Sequence, residues 1–298
     1  MSFRIEINPE LKMKSDIMFK AFYGRKENEE FLQDFLESVL EEKIKIKKVM
    51  HDVRLEQLAK EQKFGILDLG VELEDGEFIN VEIQIKNYKN IEKRTTFYAC
   101  KKLIEQLGPG EDYRQLKPTI IIAILDYSFI NLPEYITETV RVVKEHREYE
   151  INNDVKYYYI ELEKFRNQNP DMTKRINQWS AFLDMERSDL LEMACKENDK
   201  VKRAVENYEV LTGDEEVKRL AEIRLMSKLE ERSALDCARE EGIEEGKRKG
   251  REEGKREGIE EGKKEGIKEV AKALKERKEP IEKIAEITGL SKEEIEKI

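Results

Sequence analysis

The sequence predicts an α/β protein in which a mixed central sheet flanked by helices is followed by a helical region and a charged tail. Segments with an apolar residue at every second position alternate with segments of helical periodicity. Residues 119–125 (TIIIAIL) form the nearly continuous apolar run of a strand buried on both faces. From residue 241, glycine recurs at every fourth position among charged residues. The first two observations predict the sheet and its helices, and the third predicts the tail.

The predicted elements follow in chain order. Residues 17–23 form a short helix with Asp16 at its N-cap, and residues 27–42 form an amphipathic helix. The later elements are strands at 44–54, 64–73 and 78–86, a helix at 91–107, strands at 117–125 and 155–162, and helices through about 171–235. We divide the chain into a core (1–165), a helical region (166–240), a glycine repeat (241–266) and a small helical segment (267–298).

The glycine repeat contains seven glycines, from Gly242 to Gly266. As a helix it loses about 6 kcal/mol relative to alanine, which Glu–Lys and Glu–Arg pairs four residues apart offset only in part. Close approach of a second copy would stabilise such a helix, so both a self-associating helix and a flexible charged tether fit the repeat. In the last segment Ser291 and Glu294 have capping-box spacing. That segment resembles a small helix-turn-helix whose acidic final helix favours protein contact over base reading.

Composition excludes several classes of protein. The 56 Lys and Arg against 66 Asp and Glu give a net charge of −10, which argues against coating nucleic acid or anionic membranes through bulk charge. Three widely spaced cysteines argue against a disulfide framework or a cysteine zinc site. No apolar run is long enough for a membrane helix, so we expect a cytoplasmic protein without a membrane partner.

Two consecutive predicted strands, joined at Glu74–Gly76, place polar residues on one face. Alternation puts Asp68 on that face of the first strand, and Glu82 and Gln84 on that face of the second. A two-residue turn would set Asp68 opposite an apolar-face residue. A three-residue turn with a left-handed Gly76 sets it opposite Glu82. The sequence therefore predicts two carboxylates directly across a strand pair.

Opposed carboxylates repel each other unless a cation or a proton lies between them. Mg²⁺ and Mn²⁺ suit this arrangement because they take hard oxygen ligands and retain several waters. Such an ion lowers the pKa of a bound water and neutralises charge on a phosphate. The competing interpretation is a solvated acidic face, since acidic residues are abundant throughout this chain.

The combined motifs resemble the PD-(D/E)xK nuclease superfamily, and within it the transposase-like branch that includes the recombination-promoting Rpn (YhgA-like) nucleases. The resemblance covers about residues 10–270. The matching segments are DIMFK from Asp16, GILDLGVEL with Asp68, DGEFINVEIQ with Glu82 and Gln84, the helix with Arg94 and Tyr98, GEDYRQLKPTIIIAIL, and the glycine tail.

The resemblance implies a restriction-endonuclease-like core and an endonuclease that hydrolyses DNA with Mg²⁺ or Mn²⁺, with a role in DNA recombination. Asp68 and Glu82 would be metal ligands and catalytic residues. Gln84 would be a catalytic residue at the position where the superfamily usually carries lysine. Glutamine can orient water or phosphate but supplies no positive charge. Lys86, two residues further along the same strand face, is the candidate for that charge.

Three other residues are auxiliary candidates. Asp16 is a candidate additional acid, although a helix N-cap role explains it without function. Arg94 and Tyr98 lie four residues apart on one helix face and are candidates for contacting phosphate or bracing the site.

A second function class is a catalytically inactive nuclease-fold protein that binds DNA or forms homo-oligomers through the glycine repeat. The opposed carboxylates favour the nuclease. Gln84 and the negative net charge favour the inactive protein.

Overall fold

The computed structural model describes residues 9–54, 66–152 and 154–298. Its α-helices are α1 (Asp16–Tyr23), α2 (Glu29–Leu40), α3 (Ile91–Ile104), α4 (Leu162–Arg166), α5 (Arg175–Asp184), α6 (Ser188–Glu197), α7 (Asp199–Thr212), α8 (Glu215–Glu276), α9 (Ile281–Thr288) and α10 (Lys292–Lys297). Its strands are β1 (Ile46–Arg54), β2 (Ile66–Leu73), β3 (Phe78–Gln84), β4 (Thr119–Leu125), β5 (Ile136–Thr139), β6 (Val142–Val143), β7 (His146–Glu150) and β8 (Val155–Glu161). Short 3-10 helices lie at Pro9–Leu11, Lys26–Asn28 and Tyr113–Gln115.

The main sheet has six strands in the order β1-β2-β3-β4-β8-β5. Strands β3, β4 and β8 are parallel, whereas β1, β2 and β5 each pair antiparallel with a neighbour. Strands β6 and β7 form a separate two-stranded sheet. The predicted α/β class, a mixed sheet flanked by helices, is confirmed and is consistent with a PD-(D/E)xK-like core.

The main hydrophobic core lies on one face of this sheet. Period-two alternation sends apolar side chains of β2 and β3, such as Val71 and Val81, to this face. They join aromatic residues that the helical periodicity of α1, α2 and α5 turns inward, including Phe22, Phe35 and Trp179. Helices α6 and α7 add further side chains to the same core.

Helix α3 covers the opposite face of the sheet. Ile91 at the start of α3 packs with Ala123 and Tyr159 from β4 and β8, and Tyr98 packs with Phe78 of β3. The polar side chains of β3 lie on this second face, so they are buried beneath a helix rather than solvated. The interpretation of these residues as a solvated acidic face is therefore wrong.

The β2–β3 hairpin has the predicted register. Leu69 pairs with Val81, and Gly70 pairs with Asn80. The turn is closed by a hydrogen bond from Leu73 N to the Glu77 carbonyl oxygen at 2.9 Å. Gly76 has φ of +92°, the left-handed region that favours glycine.

Several predicted boundaries differ from the structure. Asp16 is the first residue of α1 rather than its N-cap; Ser15 is the cap, and its side chain accepts a hydrogen bond from Met18 N. Strand β3 ends at Gln84, two residues before the predicted end. Residues 64 and 65, predicted as the start of a strand, lie outside the described residues. The predicted boundaries of the four chain segments remain a proposal.

The chain forms two compact units, Met1–Met226 and Ser227–Ile298. In the second unit the glycine repeat is part of α8, and a Cβ added at any of its seven glycines would meet nothing within 4 Å. Glu245 and Lys249, four residues apart in the repeat, form an ion pair at 2.7 Å. The end of α8 packs with α9 and α10 through a cluster of Ala271, Ile284 and Ile295. The predicted capping box at the start of α10 is also confirmed.

Within the described ranges, none of the helices combines the length and apolar character needed to cross a bilayer.

Candidate active site

The two carboxylates lie where strands β2 and β3 separate. The backbone pairing of the hairpin extends from the turn to Leu69 and Val81. Beyond that pair, Asp68 N donates to Glu82 Oε1 at 3.3 Å, and Ile83 N donates to Asp68 Oδ2 at 3.2 Å. Each carboxylate thus accepts a hydrogen bond from a backbone N–H of the opposite strand. It takes the place of the backbone carbonyl oxygen that would accept this bond in a regular antiparallel pair. This reciprocal bonding fixes both acids at the open end of the hairpin.

Both carboxylates are buried, Asp68 with 9% and Glu82 with 2% of its surface exposed. Burial, and after it the neighbouring negative charge of Asp68, raises the pKa of the Glu82 carboxyl. The positive charge of Arg94 and a hydrogen bond from Asn80 oppose that rise. The site therefore disfavours a second negative charge unless a cation accompanies it.

Two cations reach the acid pair from helices that flank the sheet. Lys20 of α1 places Nζ 3.3 Å from Asp68 Oδ1. Arg94 of α3 places Nη2 2.8 Å from Glu82 Oε2. Two formal positive charges thus face the two carboxylates. The sequence predicted Arg94 as an auxiliary residue but missed the role of Lys20; its signal was a lysine between buried Phe19 and Phe22 in α1.

Two amide side chains complete the polar cluster. Asn80 Nδ2 donates to Glu82 Oε1 at 3.1 Å, and Gln84 Nε2 donates to the Lys86 carbonyl oxygen at 2.7 Å. Because carboxylate and carbonyl oxygens only accept hydrogen bonds, these contacts fix which end of each amide is oxygen. Asn80 Oδ1 and Gln84 Oε1 are buried and have no hydrogen-bond partner among the described residues. Asn80 alternates in phase with Glu82 and Gln84 along β3 but is not among the predicted site residues.

The residues present fit a hard divalent cation. The cluster contains two buried carboxylates. It also contains the two amide oxygens that have no hydrogen-bond partner among the described residues. All four groups are hard oxygen ligands. In the described parts of the chain, no group of three or more His, Cys, Asp or Glu side chains is placed to hold a metal. A cation at Asp68 and Glu82 would therefore depend on amide or backbone oxygens and on water for its remaining ligands. Lys20 and Arg94 would compete with it for carboxylate oxygens.

Most of the chain matches the model of one known protein family. Residues 13–238 match the model of the PD-(D/E)XK nuclease family transposase. The chain belongs to this family. No curated protein and no solved structure matches the chain itself.

Membership in the PD-(D/E)XK nuclease family transposases indicates a nuclease with DNA as its substrate, and PD-(D/E)XK nucleases generally use divalent metals. The matched range contains the whole six-stranded sheet and α1 to α7. It also contains Asp68, Glu82 and Gln84, together with Lys20 and Arg94.

Among the described contacts, neither Lys86 nor Asp16 forms a hydrogen bond or ion pair with the acid pair. Lys86 follows the end of β3 in an exposed loop, so the expectation that it shares the strand face of Gln84 is wrong. Its backbone carbonyl oxygen, rather than its ammonium group, contacts Gln84. Asp16 forms an ion pair with Arg224 of α8 at 3.3 Å.

Tyr98 braces Arg94. The guanidinium carbon of Arg94 lies 5.3 Å from the centre of the Tyr98 ring, and that ring packs with Phe78 and Met50. A guanidinium over an aromatic face gains cation–π attraction and loses rotational freedom. Burial, and then the negative charge of Glu82, raises the pKa of the Tyr98 hydroxyl, so this residue stays neutral beside the acids.

A second ionic network lies at the carboxyl ends of β3 and β4. Asp126 N donates to the Gln84 carbonyl oxygen at 3.0 Å. The Asp126 carboxylate contacts Lys14 at 2.9 Å and also contacts Arg166. Arg166 in turn contacts buried Asp184 of α5 at 2.6 Å. The network ties the strand end beside Gln84 to α4 and α5, and no motif or spacing in the sequence predicts it.

Proposed function

We propose that the protein is a metal-dependent DNA endonuclease in which Asp68 and Glu82 hold Mg²⁺ or Mn²⁺ and Gln84 completes the catalytic set. The supporting observation is the reciprocal hydrogen bonding that holds two buried carboxylates together where β2 and β3 separate. A divalent ion bound there would activate water and neutralise phosphate charge. A purely structural role in ion pairs does not explain why two buried acids lie side by side at this position.

The side chains divide the remaining tasks. Gln84 is held by the Lys86 carbonyl oxygen and presents its amide oxygen for orienting water. Because an amide carries no charge, the positive charge that lysine supplies elsewhere in the superfamily must come from another residue. Lys20 and Arg94 are the cations already in contact with the acids, and we assign to them the stabilisation of negative charge on the scissile phosphate.

The test is cleavage of supercoiled plasmid DNA by the full chain with Mg²⁺, Mn²⁺, Ca²⁺ or EDTA. Asp68→Asn and Glu82→Gln keep the size of each side chain and remove its charge. We expect metal-dependent nicking by the wild type and a loss of at least about 100-fold in each variant, as for the loss of a principal stabilising group.

Glu72→Gln is the matched control. Glu72 lies on the same strand as Asp68 but pairs with Lys47 at the surface, so the control variant should nick at the wild-type rate. No nicking by the wild type under any metal condition, together with no metal binding, would favour the catalytically inactive alternative. Nicking that survives in both acid variants would contradict the proposed ligands.

Several broader roles belong to the same proposal. A transposase-related nuclease that introduces breaks fits a role in promoting DNA recombination. A reducing cytoplasm fits the three cysteines, Cys100, Cys195 and Cys237, all of which are free.

We further propose that α8 mediates homo-oligomerisation. Open space at its glycines would let a second helix approach the backbone closely. Light scattering after size exclusion would show a single-chain mass for a Gly250→Leu, Gly254→Leu variant and a multiple of that mass for the wild type. A wild-type monomer at high concentration would contradict this role.

A further inference from the structure

Positive charge is concentrated beside the acid pair. Residues 86–102 contain six Lys or Arg and one Glu, a local net charge of +5 in a chain whose net charge is −10. This segment comprises the loop after β3 and most of α3. Gln84 holds the loop through the Lys86 carbonyl oxygen, and Arg94 of α3 contacts Glu82. The basic segment is therefore attached to the site at two points.

The same segment exposes aromatic side chains. Tyr88, in the loop, exposes 64% of its surface, and Phe97, on α3, exposes 38%. Lysines lie among these rings: Lys86 and Lys89 flank Tyr88, and Lys93 lies one helical turn before Phe97. All five of these residues are exposed. We call this set the lysine–aromatic surface.

We propose that the lysine–aromatic surface binds a stretch of unpaired DNA bases and delivers the adjoining phosphate to the acid pair. Lysines attract the phosphate backbone, and exposed aromatic rings stack on bases without reading their sequence. A base inside a duplex has both faces covered by its neighbours, so it cannot stack on Tyr88 or Phe97 without leaving the helix. The surface thus favours a substrate with a single-stranded segment, such as a flap, a bubble or a displaced strand.

This inference rests on the proposed nuclease function and specifies its substrate class, but its test measures binding alone. The full-length protein is titrated in EDTA against a fluorescein-labelled DNA single strand, the corresponding duplex, and an RNA of the same sequence, with anisotropy as the readout. Wild type should bind the single strand more tightly than the duplex. Tyr88→Ala should weaken single-strand binding by about tenfold and change duplex binding less than twofold.

The control is Tyr149→Ala. Tyr149 has the same 64% exposure as Tyr88 but lies on β7, outside the surface, so this variant should bind all three ligands as the wild type does. Tyr88→Trp, which keeps a stacking ring, should restore single-strand binding. For the single strand, Lys89→Gln and Lys93→Gln should each make the negative slope of log affinity against log salt shallower by about 0.7.

Three outcomes would overturn the inference. If the Tyr88→Ala variant binds the single strand as tightly as the wild type, base stacking on Tyr88 is excluded. If Tyr88→Ala weakens binding of the single strand and of the duplex equally, the surface attracts nucleic acid in general and does not select unpaired bases. Tighter binding of RNA than of the DNA single strand would assign the surface to a different nucleic acid. Binding that depends on Tyr88, alongside no cleavage of either the plasmid or the labelled single strand with Mg²⁺ or Mn²⁺, would refute the nuclease and keep the surface, so the two proposals fail separately.

Discussion

Replacing Arg94 by methionine removes the cation from Glu82 while keeping a side chain of similar length over Tyr98. The Arg94–Glu82 contact is 2.8 Å, and unit charges at that distance attract by about 6 kcal/mol at an effective dielectric constant of about 20. Loss of one partner from a buried pair costs about 3–5 kcal/mol. Because the Arg94 side chain is 35% exposed, solvent screening reduces our expectation to about 2–3 kcal/mol.

In EDTA, Arg94→Met should therefore lower the thermal midpoint by about 4–12 °C, since each kcal/mol corresponds to about 2–4 °C in a domain of this size. Divalent cation should reverse the loss. An ion at 100 times its Kd stabilises the folded state by about 2.7 kcal/mol. In the wild type the same ion must displace Arg94 from Glu82, so its shift should be smaller.

The assay is differential scanning fluorimetry in EDTA and across a MnCl₂ titration. Arg114→Met is the control, because Arg114 pairs with Asp112 on the exposed surface; its midpoint and its Mn²⁺ response should match the wild type. Arg94→Lys should keep most of the stability through its remaining charge.

Two results would refute this reasoning. The first is a Mn²⁺ shift in Arg94→Met that is no larger than the wild-type shift. The second is an undiminished shift when Glu82→Gln is added to Arg94→Met, because the ion would then be binding elsewhere.

Three further substitutions test the fold. Burial alone would raise the pKa of Asp34, but hydrogen bonds from Lys200 and Trp179 outweigh it and lower that pKa; the stabilisation is thus present above the ordinary carboxyl range and lost on acidification. Asp34→Asn should cost about 1–2 kcal/mol at pH 7 in urea unfolding, and this cost should shrink as the pH falls below the ordinary carboxyl range. Gly76→Ala should cost about 1–2 kcal/mol in the same assay, because φ is +92°. In dilute, monomeric protein, Gly254→Ala, in open space on α8, should raise helix stability by up to about 1 kcal/mol, seen as a later loss of circular dichroism at 222 nm on heating.

Each of these predictions has a contradicting result. A deficit of Asp34→Asn that is equal at pH 7 and pH 2 would show lost packing rather than lost charge. Unchanged stability of Gly76→Ala would contradict the left-handed turn that sets the hairpin register. Loss of helix in the dilute, monomeric Gly254→Ala chain would contradict the open space at this glycine.

The hairpin shows how much the sequence could predict. Alternation in two neighbouring strands and a three-residue turn left one register that keeps both apolar faces together, and the structure has that register. The same local logic failed at element ends. Ser15, rather than Asp16, caps α1, since adjacent serine and aspartate are equally good caps and backbone geometry selects between them. Strand β3 ends at Gln84, whose side-chain amide donates to the Lys86 carbonyl oxygen. No periodicity in the sequence encodes that contact.

The sequence by itself determined the α/β class, the hairpin register that brings Asp68 and Glu82 together and the family resemblance, because these depend on periods and spacings within short stretches of chain. Tertiary structure alone decided the electrostatics of the site. Alternation shows that a strand face is polar but not what covers it, and here α3 buries that face. The partners of the acids, Lys20 and Arg94, come from helices on opposite faces of the sheet. Their distances to the acids depend on how those helices pack, which no local pattern encodes.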